Sequence, residues 1–303
     1  MWPASACLFA EYPIIGREIQ RATLIVDNES GARYTVLRVY QTELQYSISE
    51  GPVIMTAHVY ETLAFLGSAG VFEILERVRP AREVDRWKQW KIDVLSFALA
   101  ILMNRTCSYF GSNAANTYAP LWMLGGSRLL QELPSAARIF LTILVADFVI
   151  YWIHRAQHEF APLWRTHAWH HSTEHLFWFS GFRTSFLHTF IYNIPQAAIP
   201  ILVFDLSPLE LGIGYSIAVL IQFWEHTNFD IGIGPMKYLL ITPAYHRVHH
   251  SVAHNDRNLG TTFSLWDRMF GTYFNPADVP ADAPLGLDEP YSATEMTRML
   301  VGV

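Results

Sequence analysis

Cysteine is nearly absent from this chain. Its 303 residues hold two, Cys7 and Cys107, which excludes a thiolate zinc cluster, a cysteine-held iron–sulfur cluster and a disulfide-stapled scaffold. Charge is also scarce, at 16% of residues against roughly 25% in ordinary soluble domains. The formal net charge of −6 removes the basic footprint that nucleic-acid binding requires. No glycine-rich phosphate loop and no Ser/His/Asp arrangement stands out. The first 20 residues carry Glu11, Arg17 and Glu18 and lack a basic start followed by an apolar stretch, so they do not read as a secretory signal. In place of charge, 51% of residues are hydrophobic and 14% aromatic, the balance of a membrane protein.

Residues 20–46 differ from the rest and read as two strands around the turn Asn28-Glu-Ser-Gly31; 1–50 is taken as a small β-like appendage. Five apolar runs follow, Pro52–Phe72, Ile92–Tyr109, Ala136–Ile153, Thr184–Phe204 and Leu209–Trp224. A spanning helix needs about 20 apolar residues, so these are candidates for membrane crossing. Pro195 and Pro200 are expected kinks, and the short Asp205–Pro208 link makes the last two runs a hairpin. Arg77, Arg79, Arg82, Arg86, Lys88 and Lys91 mark the loop after the first run as cytoplasmic. Threading from there brings the ends of the third run and of the hairpin to that same face. The expected fold is all-α, a polytopic membrane helical bundle with a histidine-rich di-metal cap on its cytoplasmic face. Its catalytic domain covers 51–275 and a C-terminal tail covers 276–303.

Histidine is where the sequence concentrates its chemistry. Twelve of 13 lie between His154 and His254. His154 and His158 form an HxxxH; His167, His170 and His171 form an HxxHH; His246, His249 and His250 form a second. Residues three and four apart share a helix face, so each box aims its imidazoles one way. His226, at the end of the hairpin, is a ninth contributor. The isolated His58, His188 and His254 read as ordinary core or surface residues. Nine imidazoles are too many for one metal and suit two with four or five ligands each. Imidazole serves zinc, copper, iron and nickel alike. A hydrolytic zinc site needs only three protein ligands and an open position, so this count points to redox chemistry at two irons. A zinc-dependent membrane hydrolase and a histidine-rich metal transporter are the alternatives. Metal identity separates the first, and the uncharged run 184–204 weighs against the second.

Asp147 shares a helix face with Tyr151, His154 and His158, and a carboxylate in an apolar span suits a partner for a ligand imidazole. Glu174, Asn228 and Asp256 complete the set of candidate catalytic residues. Trp152, Trp169, Phe177, Trp178, Phe179 and Phe182 would line an apolar pocket or anchor the membrane interface. Arg155, Arg165, Arg183 and Arg247, beside the boxes, read by default as surface salt-bridging residues.

His154-Arg-Ala-Gln-His158, His167-Ala-Trp-His-His-Ser172-Thr-Glu174, Arg183, His226, Asn228, Tyr245-His-Arg-Val-His-His-Ser251, Asp256-Arg-Asn-Leu-Gly260 and Leu265–Tyr273 together resemble the fatty acid hydroxylase/sterol desaturase superfamily, from about Phe72 to Tyr273. The resemblance implies an integral multi-pass membrane enzyme with a histidine-held di-iron centre, hydroxylating or desaturating a lipid-like substrate (fatty acyl, sterol or isoprenoid) with O2. No fused cytochrome b5 haem motif is present, which implies a separate electron donor, cytochrome b5 or a ferredoxin with its reductase. Some members have a further histidine four residues after the equivalent of His226. Asp230 stands there in this chain, so either Asp230 ligates or the site holds nine imidazoles.

Overall fold

The apolar runs become the long helices. In a computed structural model the described residues are 51–122, 128–289 and 291–303; the appendage 1–50, with its expected strand pair, lies outside them. In chain order the helices are α1 (Gly51–Val78), α2 (Arg86–Trp122), α3 (Arg128–Gln131), α4 (Ser135–Glu159), α5 (Ala161–His171), α6 (Phe186–Ala198), α7 (Pro208–His226), α8 (Pro243–His249), α9 (Leu265–Phe270) and α10 (Ala293–Val301). Among the described residues, β pairing is limited to the isolated bridges Leu240–Phe263 and Ser251–Leu285. Among the described residues, two segments, Ser135–Glu159 and Phe186–Val203, are long and apolar enough to cross a membrane.

Local chemistry sets the boundaries. Ser185 caps α6 by accepting from the His188 amide, and Pro195 lies inside the helix. The chain then widens into a π-helical segment, Ile199–Val203, where Pro200 has no amide hydrogen to offer. Asp205 takes a positive φ of 47° and turns the hairpin. Ser207 and Glu210 form a capping box that starts α7. Pro243 opens α8, where Thr242 accepts from the Tyr245 amide.

Buried apolar layers hold the bundle, two of them extensive. Ala146 of α4 packs with Ile199, Phe204, Leu206, Leu211 and Ala218. Phe182 and Phe223 pack with Phe65, Phe72, Phe97, Trp178 and Phe179, in edge and tilted ring pairs such as Phe65–Phe223 at 5.3 Å. The aromatics expected to line a pocket are therefore mostly packing residues. Trp178, Phe179 and Phe182 fill this second layer, and Phe177 is buried below the Arg86 guanidinium. Trp169 is buried and donates to Ser96 Oγ; only Trp152 faces outward.

Residues 276–303, set apart as a tail in the sequence, fold back on the boxes. Gly286 N donates to His250 O. A Cβ on Gly302, just past α10, would meet Ser185 Oγ at 2.9 Å.

Candidate metal centre

One end of the bundle collects the histidines. α4 delivers His154 and His158 in its last two turns, α5 carries His167, His170 and His171, α7 ends on His226, and α8 with its C-cap supplies His246, His249 and His250. Their ligand atoms fall into two groups, His154, His158, His167, His171 and His249, and His170, His226, His246 and His250, each within 4.8 Å. Opposite imidazoles on one zinc-sized ion sit about 4.2 Å apart, so each group has the dimensions of a single site. The groups share a wall, with the His171 and His250 rings 4.7 Å apart. All nine residues that the boxes and His226 nominated are brought together.

The hydrogen bonds behind the rings decide what the inward nitrogens are. His154 Nδ1 donates to Leu259 O at 2.7 Å, His170 Nδ1 to Arg183 O at 3.1 Å, His226 Nδ1 to Gln222 O at 3.0 Å and His249 Nδ1 to Arg257 O at 2.9 Å. A carbonyl can only accept, so each of these rings carries its proton on Nδ1 and turns the Nε2 lone pair inward. His170 and His226 Nε2 then face each other at 3.3 Å with no proton between them. His246 Nε2 stands 3.1 Å from both His226 and His250 Nε2. Converging lone pairs repel unless a cation lies among them, so the donor set fits a metal in each group. Burial, and secondly the neighbouring imidazoles, hold His167, His170, His171, His246 and His250 well below the ordinary histidine range. His249 is pushed down to about 4, burial again first. Neutral imidazole is the ligand form.

The candidate carboxylates and amide sit elsewhere. Asp147 is fully buried but touches no imidazole among the described residues. It accepts from Thr261 Oγ1, the Thr262 and Phe263 amides and Trp266 Nε1, at 2.7–3.1 Å. Its helix face is shared with His154, yet the 259–266 segment takes the hydrogen bonds of both. Asp147 therefore pins the segment whose Leu259 carbonyl orients His154. Glu174 is on the surface, paired with Lys88 at 2.8 Å, and Asp256 is exposed beside Arg257. Asn228 is buried and ties down the loop before α2, exchanging hydrogen bonds with the Arg82 amide and carbonyl. Asp230 pairs with Arg247 at 2.5 Å, outside both groups.

Several residues that sequence reasoning passed over or misjudged hold the site. Arg183 is buried rather than at the surface. It pairs with the buried Asp93 of α2 at 2.8 Å and donates to Ser172 O, while its own carbonyl orients His170. Asp267 accepts from Tyr245 Oη and the Leu259 and Gly260 amides; it lies in the Leu265–Tyr273 motif, which was the available signal. Glu76 of α1 accepts from the Trp178 and Asn228 amides and Thr227 Oγ1. Glu225 of α7 is buried, with Oε1 3.4 Å from His226 Nδ1 and Oε2 3.9 Å from His246 Nδ1; its place beside His226 was the only signal. Trp164 packs against His158 and His171, at 5.0 and 5.2 Å between rings, and borders a cleft of about 760 Å³ shared with Arg165 and Arg298.

Residues 139–272 match the family model for fatty acid hydroxylase. Among curated relatives, the ornithine lipid hydroxylase OlsE of Rhizobium tropici is 34% identical over 51% of this chain and 46% of its own length. The alkylglycerol monooxygenase of Xenopus tropicalis is 36% identical over 44% of this chain and 30% of its own length. A very-long-chain aldehyde decarbonylase of rice, Oryza sativa subsp. indica, is 24% identical over 69% and 32%. The chain thus spans less than half the length of these relatives, and no solved structure matches it. The matched segment holds every histidine of both groups, so the similarity to the fatty acid hydroxylase family covers the whole candidate metal centre.

Proposed function

We propose that this protein is a membrane-bound di-iron oxygenase that inserts oxygen into, or desaturates at, an unactivated C–H bond of a lipid-like substrate. The observation that carries this reading is the pair of abutting imidazole groups, five and four, in which backbone carbonyls turn the Nε2 lone pairs of His154, His170, His226 and His249 inward. Relatives named as an ornithine lipid hydroxylase and alkylglycerol monooxygenases support a lipid substrate and a monooxygenase outcome. The chemistry that a bound di-iron pair supplies is reductive activation of dioxygen toward a C–H bond. For hydroxylation the balance is one substrate, one O2, two electrons and two protons to one alcohol and one water, with the electrons from a separate donor such as cytochrome b5 or a ferredoxin with its reductase.

This chain's residues hold, orient and shield. The nine histidines present neutral nitrogen. The Leu259, Arg183, Gln222 and Arg257 carbonyls fix which nitrogen faces in, and Asp147 and Asp267 fix the loop that carries Leu259. The apolar α4 and α6–π segments hold this end of the bundle to a bilayer. The basic loop after α1 supports the cytoplasmic side for the metal centre. The test is turnover of membrane lipid extract by the purified protein under ¹⁸O2 with a reductant. Label in an alcohol product supports hydroxylation, while unlabelled hydrolysis products under iron-replete conditions would return the zinc hydrolase.

A further inference from the structure

His188, outside every box, stands behind the metal centre. It is fully buried near the start of α6, with its Nδ1 3.1 Å from His167 Nδ1. The two rings are 24° from coplanar with centroids 4.8 Å apart. His167 Nε2 lies among the ligand nitrogens, so on the di-metal reading its ring proton sits on Nδ1 and His188 Nδ1 accepts it. Thr166 Oγ1 gives its single proton to Leu163 O at 2.7 Å, so it accepts from Gln157 Nε2, also at 2.7 Å. Gln157 Nε2 also lies 3.2 Å from His188 Nδ1, on the side where a donor is needed, while Gln157 Oε1 and His188 Nε2 are buried without a hydrogen-bond partner among the described residues.

We infer that His188, oriented by Gln157 and Thr166, is a positioning residue that keeps the proton of His167 on Nδ1 and its Nε2 free for metal. His167 is the one ligand of its group whose outward nitrogen is held by another imidazole; His154 and His249 use backbone carbonyls. His167 Nε2 faces His154 Nε2 at 2.9 Å and His171 Nε2 at 3.1 Å. A His167 ring protonated on Nε2 would place a hydrogen where the metal belongs. The inference rests on the di-metal reading above, and its consequence is local, because His167 belongs to the five-histidine group alone.

The test compares His188→Leu, which removes the acceptor, with His188→Asn, whose amide oxygen replaces Nδ1 in place. Losing such a partner weakens metal affinity about 10–100-fold. In iron-loaded protein, His188→Leu should fall from about two irons per chain toward one, and a chelator should remove the affected iron correspondingly faster. His188→Asn should restore wild-type content and extraction rate. Gln157→Met, which leaves His188 in place but unoriented, should lie between them. Retention of both irons at the wild-type rate in His188→Leu would overturn the inference, as would equal loss in His188→Asn, which would make the imidazole itself a ligand. Should His188→Leu fail to fold, the Asn and Met variants decide. A wild-type protein that binds no metal would instead sink the di-metal reading.

Discussion

Replacing Gly181 by alanine would drive a methyl group into His226, a proposed metal ligand. A Cβ there would lie 2.5 Å from His226 Cγ, 2.6 Å from Nδ1 and 3.0 Å from Cβ, about 1 Å inside the 3.5–4.0 Å carbon–carbon optimum. The backbone at 181 has little room to retreat, because its carbonyl accepts from Gln222 Nε2 at 2.9 Å. The ring must therefore move about 1 Å, against a tolerance of about 0.2 Å in a metal–ligand distance. Overpacking costs about 1–3 kcal/mol; placed on the bound state, that is about one to two orders of magnitude in affinity. It falls on the group of His170, His226, His246 and His250 and spares the other. Iron per chain and chelator extraction rate should show one iron weakened and one unchanged. Gly70→Ala is the control, since nothing lies within 4 Å of its Cβ. Two irons with wild-type extraction kinetics in Gly181→Ala would refute the assignment of His226.

Three further outcomes follow from the same geometry. Breaking the buried Arg183–Asp93 pair from one side, by Asp93→Leu, should destabilise by about 3–5 kcal/mol, and the Asp93→Leu/Arg183→Met double variant should recover much of that; detergent thermal melts decide, and strictly additive losses would contradict it. The imidazoles of the two HxxHH boxes sit below their unfolded value of about 6.5, so the stability they permit is present above that pH. It is lost as pH falls toward the folded values, about 4 for His249, because the unfolded chain takes up protons the fold refuses. Chelator-stripped protein should accordingly lose melting temperature between pH 6.5 and 4.5 while metal-loaded protein resists, and a flat profile for the stripped form would contradict this. Glu174→Gln should leave iron content and turnover at wild-type levels, since its carboxylate pairs with Lys88 at the surface; loss of iron would return Glu174 to the site.

The clustering of the box histidines was legible because helical spacing is a local property. Three- and four-residue intervals in α4, α5 and α8 put each box on one face whatever the tertiary fold, and the division into five and four matches the count of nine. The hairpin was legible from its apolar runs, Pro195, Pro200 and the short link. What spacing does not carry is which loop crosses a face. Asp147 shares a stripe with His154, yet the 261–266 segment takes all its hydrogen bonds. Arg183 and Asp93 are 90 residues apart and meet only when α2 packs beside α5 and α6. His188 has no box spacing because its partner, 21 residues earlier, is on another helix.

The most direct test of the central claim is metal content by elemental mass spectrometry on detergent-purified protein from iron-supplemented cells, beside a His170→Ala/His249→Ala double variant that removes one ligand from each group. About two irons per chain in the wild type, lost in the variant, is the predicted result. Zinc persisting in iron-supplemented wild type, or iron unaffected by the double substitution, would contradict a di-iron centre held by these histidines.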